Sequence, residues 1–277
     1  MEATTKSVTV CQSGSVNLEK AWKEIVEYAT KVAEEEPYLR PLLEDVILSR
    51  PCIGSAISAR LSRKLAREDM GRDELEPILE SVYVKNSAVA MSAVKDMLAI
   101  QERDAACRSI LEPLLFFKGF LAVSTYRSAH HLWNLGRRSL ALYFQRICSE
   151  AFGVDIHPAA RIGCGFFLDH ATSFVVGETA IIEDNVSILH EVTLGGTGKD
   201  KGERHPIVRR GVLIGAGAKL LGRIEIGHCA KIGAGSVVLS NVEPKKTVAG
   251  VPAVVVADNA SDAPAMDMNQ SLECGQI

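Results

Sequence analysis

Aromatic side chains make up only 5% of the 277-residue chain, and no apolar run approaches the ~20 residues a membrane-spanning helix needs. The most apolar stretch, Ile110 to Val123, is interrupted by Glu112, Pro113 and Lys118. The first twenty residues lack the basic start and apolar middle of a secretory signal. An excess of basic charge is missing too: 31 Lys and Arg stand against 34 Asp and Glu, for a net charge of -3. That balance argues against a polyanion binder, whose affinity comes from clustered cations. The seven cysteines form no CxxC pair and are scattered from Cys11 to Cys274, which excludes a zinc ribbon or a small disulfide framework. They are expected to be free thiols in a reducing, cytoplasmic setting. Gly195 to Lys199 superficially suggests a phosphate loop, but the pattern G-x-x-x-x-G-K-[ST] is absent.

What is present divides the chain in two. With 47% apolar and 23% charged residues it is globular, and its length allows one or two domains. Residues 18–152 read as all-helical. Trp22, Ile25, Ala29 and Val32 form one stripe and Ile57, Leu61 and Leu65 another, with Val82 to Ile100 and Leu114 to Leu135 as further long helices. Pro37, Pro41 and Pro51 punctuate the early segments, and Gly119 and Gly136 mark packing contacts or helix ends.

From Gly153 the period changes to six. Ile156, Ile162 and Leu168 set a first register. Val176, Ile182, Ile188 and Leu194 set a second after a slip of two, and Val208, Ile214, Leu220, Ile226, Ile232 and Val238 continue without a slip. Six matches neither a helix nor simple strand alternation. It matches a hexapeptide solenoid, in which three six-residue strand-and-turn units make one triangular coil and the aliphatic residue points inward. Fourteen positions separate Leu194 from Val208, so eight residues are inserted into one turn. A polar, glycine-bearing loop leaving a regular solenoid is where function is expected. The solenoid domain is placed at 153–256, between the helical domain and a polar, flexible tail at 257–277; residues 1–17 are read as a flexible N-terminus.

Polar candidates for chemistry are Asp155, Asp169-His170, His190 and Arg204-His205. Asp155 and His170 are fifteen residues apart, close to one coil, so adjacent rungs roughly 5 Å apart would bring them together. A carboxylate beside an imidazole fixes its tautomer and raises its basicity, as a general base acting on a hydroxyl requires. Turn capping is the simpler alternative for either histidine. A zinc site built from His170, His190 and His205 is another.

Several segments together resemble the serine O-acetyltransferases, enzymes of the hexapeptide-repeat acyltransferase superfamily. They are Asp155-Ile-His-Pro-Ala-Ala, Leu168-Asp-His-Ala-Thr, Val176-Gly-Glu-Thr-Ala, Val192-Thr-Leu-Gly-Gly-Thr-Gly-Lys, Arg204-His-Pro and Ala249-Gly-Val-Pro-Ala. In the helical half, Pro113-Leu-Leu, Lys118-Gly-Phe, Tyr126-Arg127 and His131-Leu-Trp-Asn-Leu-Gly-Arg-Arg also fit. The resemblance implies a left-handed parallel β-helix behind a helical domain, an α+β architecture. It implies acetyl transfer from acetyl-coenzyme A to L-serine in cysteine biosynthesis, by direct attack and without an acyl-enzyme cysteine. His170 would be the base and Asp155 its orienting carboxylate. Asp104 and Asp169 would hold the serine ammonium, with Arg204 and His205 around its carboxylate. Gly196, Thr197, Ala216 and Ala234 would line the acetyl-CoA channel, with Lys219 and Lys231 as further candidates. No metal and no permanently bound cofactor is implied.

Trimers paired into hexamers, inhibition by L-cysteine, and docking of the C-terminal Ile277 into O-acetylserine sulfhydrylase follow from the same resemblance. Ser173-Phe174 departs from the family's usual glycine and smaller aliphatic residue, and Arg108 stands where some relatives carry an acid. Two other classes stay open: a different hexapeptide enzyme (an acetyltransferase for sugars or homoserine, or a zinc hydratase), and an idle solenoid kept as a partner of the sulfhydrylase.

Overall fold

A computed structural model of the chain describes residues 17–198, 201–259 and 261–272. The helical half begins with α1 (Leu18–Glu35), whose first turn is capped by the Asn17 side chain, which accepts from the Glu19 and Lys20 amides. Ile25 and Ala29 of the expected stripe are fully buried, while Trp22 and Val32 flank them. A short helix, α2 (Arg40–Leu43), runs into a π-helical turn, and α3 (Ile53–Leu65) buries Ile57, Leu61 and Leu65 completely.

Two expected helices are each broken once. The Val82 to Ile100 segment divides into α4 (Arg72–Tyr83) and α5 (Ser87–Arg103), because the Asn86 side chain accepts the Ala88 amide and caps a new helix. The Leu114 to Leu135 segment divides into α6 (Leu111–Phe116) and α7 (Lys118–Asn134) at Phe117, whose backbone is extended. Helix α8 (Arg138–Phe152) ends at Gly153, where a φ of 65° turns the chain into the solenoid.

Fifteen short strands follow among the described residues. The first face holds β1 (Val154–Ile156), β4 (Phe174–Val176), β7 (Thr193–Gly195), β10 (Lys219–Leu221) and β13 (Val237–Val238). The second holds β2 (Arg161–Ile162), β5 (Ile181–Ile182), β8 (Ile207–Val208) and β11 (Glu225–Ile226). The third holds β3 (Phe167–Leu168), β6 (Ser187–Ile188), β9 (Leu213–Ile214) and β12 (Lys231–Ile232), closed by β14 (Lys246–Gly250) and the antiparallel β15 (Ala253–Asp258). All other pairings are parallel and follow the six-residue register. Val176 stacks on Leu194, Leu194 on Leu220 and Leu220 on Val238; Ile162, Ile182 and Val208 stack on the second face, and Leu168, Ile188 and Ile214 on the third. Most of these side chains are fully buried, each contributing about 1.5–3 kcal/mol relative to exposure.

The helical half is fastened to the first coil by a buried ion pair. Arg127 donates from Nε to Asp96 at 2.7 Å and from Nη2 to the Gly163 carbonyl at 2.7 Å, while Asp96 accepts the Phe166 amide at 2.9 Å. Burial pushes the Asp96 carboxyl up to about 6 against the pull of Arg127. Gly119 is a packing glycine, as expected: a Cβ there would lie 1.9 Å from the Leu168 carbonyl oxygen, so only glycine lets α7 approach β3 this closely. These contacts set the end of α5 beside the corner that follows β3.

Part of the segment expected as a tail lies against the third face. The Ser187 hydroxyl donates to the Ala265 carbonyl at 2.7 Å, Ala265 is fully buried, and Leu272 sits against Gly233. Cys52, Cys107, Cys148 and Cys229 are free, and burial raises the Cys107 thiol to about 11. Cys164 is disulfide-bonded, which corrects the expectation of free thiols throughout. No helix among the described residues is long and apolar enough to cross a membrane.

Candidate active site

The two breaks in the six-residue period are where the polar candidates sit. The first coil has twenty residues rather than eighteen, since Val154 pairs with Phe174. The two extra residues fall in the corner between the third and first faces, at 169–173, where His170, Ala171 and Ser173 all adopt positive φ near 60°. That bulge lifts the His170 side chain to 74% exposure. The eight-residue insertion falls in the corner between the first and second faces and ends in Arg204-His205.

At the first corner the structure brings together Asp104, Asp169, His170 and His190. Asp169 Oδ2 is 3.8 Å from His170 Nε2, and the His170 and His190 rings meet edge to face at 5.8 Å between centroids. Asp104 caps the end of α5, with one carboxylate oxygen holding the Ala106 amide. The Asp169 carboxyl is raised, first by burial, with the Asp104 charge adding to it and His170 opposing. Two carboxylates that repel each other in a half-buried corner, beside an exposed imidazole, suit a bound ammonium group next to a base. Among the described residues no hydrogen-bond partner reaches the buried His190 Nδ1.

At the second corner Arg204 donates to Glu178 at 2.8 Å, which holds the Glu178 carboxyl below its ordinary range. His205 is 7% exposed and stands over Gly177, where a Cβ would lie 2.0 Å from its ring atoms. His205 Nδ1 accepts from the Thr179 amide at 3.1 Å and lies 2.9 Å from the Thr179 hydroxyl. His157 shares this corner and likewise takes a backbone amide, that of Ala159, on Nδ1 at 3.1 Å. Burial lowers the pKa of both rings, Arg204 adding to the effect at His205.

The expected Asp155–His170 pair does not form within the chain. Asp155 lies on the first face with Val175 as its rung partner, accepts Gln145 Nε2 at 2.6 Å, and has no hydrogen bond to His170 at the third-to-first corner. The rung partner of Asp155 lies five residues beyond His170, because this coil is twenty residues long and fifteen stop short of a full turn. Within one chain His205 is likewise on a different edge from His170 and His190, so a zinc site from these three would have to form across a subunit boundary. Among the described residues no three His, Cys, Asp or Glu side chains are grouped to hold an ion.

The acetyl-CoA candidates are divided in the same way. Gly196 and Thr197 leave β7 at the second corner, with Gly196 beside Arg204 and His205. Ala216 and Ala234 lie on successive rungs of the first corner, the Ala216 carbonyl accepting the Gly235 amide at 2.8 Å. Lys219 turns its ammonium to that corner's carbonyls at Glu191 and Gly217. Lys231 is corrected: it is 8% exposed on the third face, and its ammonium donates to the Ser271 carbonyl at 2.8 Å, so it is already occupied by the C-terminal segment. Ile277 lies outside the described residues. His157, Glu178 and Thr179 were not singled out in the sequence, although Val176-Gly-Glu-Thr-Ala lies one coil before Arg204-His205.

Residues 21–125 match the family described as serine acetyltransferase, N-terminal. The chain is 51% identical over 253 residues to a serine acetyltransferase of Salmonella typhimurium, covering 91% of this chain and 93% of that protein. Among solved structures, a serine acetyltransferase in complex with cysteine superposes with a TM-score of 0.90 at 50% identity, covering 92% of this chain and all of that one. A serine acetyltransferase from Brucella abortus in complex with coenzyme A gives a TM-score of 0.85 at 46% identity, over 87% of this chain and 96% of that one.

Proposed function

Because the chain belongs to the serine acetyltransferase family, we propose that its two polar corners are halves of one active site, completed between neighbouring protomers of a trimer. The observation that carries this reading is the division itself: the base and its acids occupy one edge of the prism, and the arginine and its histidine another. Neither half alone surrounds an amino acid. An edge of one protomer set against the other edge of its neighbour brings all the groups around one substrate, and rotation about a threefold axis repeats this contact three times.

In this arrangement Asp104 and Asp169 hold the serine ammonium. Arg204 and His205 of the neighbouring protomer receive the carboxylate, Arg204 partly exchanging Glu178 for it. His170 removes the proton from the serine hydroxyl as its oxygen attacks the thioester carbonyl of acetyl-CoA. The tetrahedral intermediate collapses by breaking the C–S bond, and the proton passes from the His170 imidazolium to the departing thiolate. O-acetylserine and CoA leave. The thioester is already activated, so proton removal and positioning are sufficient. Asp155 of the neighbouring protomer orients the His170 ring. Gly196 and Thr197 from one protomer and Ala216 and Ala234 from the next line the pantetheine path, with Lys219 at its side.

The cysteine complex of a relative supports L-cysteine as a competing occupant of the serine site, and the CoA complex of another supports acetyl-CoA as co-substrate. Pairing of trimers into hexamers and docking of Ile277 on O-acetylserine sulfhydrylase complete the proposal; deleting Ile277 should abolish co-elution with the sulfhydrylase. The reaction is tested by thiol release from acetyl-CoA with L-serine, L-homoserine or a galactoside as acceptor. Rapid release is expected with serine alone, and His170→Ala should lower turnover by about 10²–10⁴-fold while leaving the assembly intact. Unchanged turnover in that variant removes His170 from the mechanism.

A further inference from the structure

We propose that His205 meets bound serine as a neutral imidazole donating from Nε2, and that Thr179 is the positioning residue that fixes this tautomer. The inference rests on the reading of Arg204-His205 as the carboxylate end of the serine site. It starts from a closed set of hydrogen bonds. The Thr179 hydroxyl oxygen accepts the Arg204 amide at 2.9 Å and the His205 amide at 3.2 Å. With its acceptor capacity taken by two N–H groups, its own proton is left for His205 Nδ1, 2.9 Å away. The Thr179 amide, which can only donate, points at the same Nδ1 at 3.1 Å.

Nδ1 therefore faces two donors and must carry a lone pair. The ring proton resides on Nε2. Protonation at Nδ1 would set an N–H against the Thr179 amide, so the ring resists becoming an imidazolium. Burial and the adjacent Arg204 act in the same direction. The far side of the ring fits this role: Nε2 lies over Gly177 and beside Gly196, two positions that carry no side chain. A neutral Nε2–H donor cannot accept the serine hydroxyl proton. It complements Arg204 by hydrogen bonding without adding charge, which leaves proton removal to His170 at the other corner. Glu178 and Thr179 thus act as one unit, the first aiming Arg204 and the second aiming His205.

Thr179→Val removes the hydroxyl at nearly constant shape, and Thr179→Ser restores it. In the full assembly, the KM for L-serine is expected to rise about tenfold or more in Thr179→Val, with the KM for acetyl-CoA unchanged and Thr179→Ser close to the parent. With one of its two donors gone and the residue-179 amide retained, His205 should titrate somewhat higher than in the parent, giving the valine variant a shifted acid-side step in serine KM. Imidazole-nitrogen NMR gives a readout independent of turnover. Only seven histidines are present, and the His205 signal is the one lost in His205→Gln. The expected spectrum shows Nε2–H in the parent and a measurable Nδ1–H fraction in Thr179→Val, where only the residue-179 amide still faces Nδ1.

An Nδ1–H signal in the parent overturns the tautomer lock alone. A valine variant that changes the acetyl-CoA KM and not the serine KM overturns the placement of serine at His205, and with it the reading beneath. If Thr179→Val does not assemble, His205→Gln and His205→Asn decide. An amide nitrogen can replace Nε2 only in glutamine, so glutamine should retain the lower serine KM; asparagine performing as well or better overturns the proposal.

Discussion

Gly177→Ala is the smallest change that tests the geometry of the second corner. An added Cβ would lie 2.0 Å from both Cδ2 and Nε2 of His205, whereas carbon contacts are comfortable only at about 3.5–4.0 Å. The ring must retreat by about 1.5 Å or swing out of the corner. Either movement breaks its contacts with Thr179, each contributing about 0.5–1.5 kcal/mol. Overpacking of this kind costs about 1–3 kcal/mol of stability where the neighbour cannot move, and less if the imidazole swings free. The functional cost is larger, because misplacing a positioning group by about 1 Å lowers rates by about 10²-fold. That factor corresponds to about 2.7 kcal/mol of transition-state stabilisation. The assay is kcat/KM for L-serine from thiol release, in Gly177→Ala, His205→Ala and the double variant. The double variant should be no worse than His205→Ala alone, since the methyl group then meets no ring. Wild-type kcat/KM in Gly177→Ala, or an equal further loss in the His205→Ala background, would refute the reasoning.

Two further outcomes follow from the first corner. Asp169 must be ionised to hold an ammonium, and its raised pKa means that serine affinity should begin to fall on acidification above the ordinary carboxylate range. Asp104→Asn removes the neighbouring charge, so the midpoint of that loss should move to lower pH even though overall affinity drops; a midpoint that stays put or rises contradicts the coupling. Ser173 adopts a φ of 60°, a conformation costing a side-chain-bearing residue about 1–2 kcal/mol and glycine almost nothing. Thermal or denaturant unfolding should therefore find Ser173→Gly more stable by about 1 kcal/mol, and no gain would show that the corner is relaxed by other contacts.

The six-residue register was legible because the inward positions have no alternative: Leu194, Leu220 and Ile226 are completely buried, and any slip would turn them to solvent. The two slips that do occur carried more information than the repeats. The gap of eight between Leu168 and Val176 makes room for the bulge that lifts His170, and the gap of fourteen between Leu194 and Val208 carries Arg204-His205. The second is legible as a functional loop, whereas the first is legible only as a change of register, with nothing local tying it to His170. The break at Asn86 was readable from its capping chemistry, while the extended Phe117 carries no local breaker and reflects how α6 and α7 pack.

The Asp155–His170 spacing misleads because the first coil is twenty residues long, so fifteen residues stop five short of a full turn. Lys231 could not have been judged from sequence, since its occupation by the Ser271 carbonyl depends on a segment forty residues further on that returns to the third face.

The composite site is tested most directly by mixing two inactive variants. His170→Ala disables one corner and Arg204→Ala the other, and each should be nearly inactive as a pure assembly. In trimers reassembled at random from equal amounts, a site between neighbours is intact when the subunit giving its first corner carries Arg204→Ala and the next carries His170→Ala, which occurs about a quarter of the time. Recovery of about a quarter of the wild-type rate of thiol release with L-serine is predicted. No recovery in demonstrably mixed trimers would mean that both corners must come from one chain, and would contradict the account.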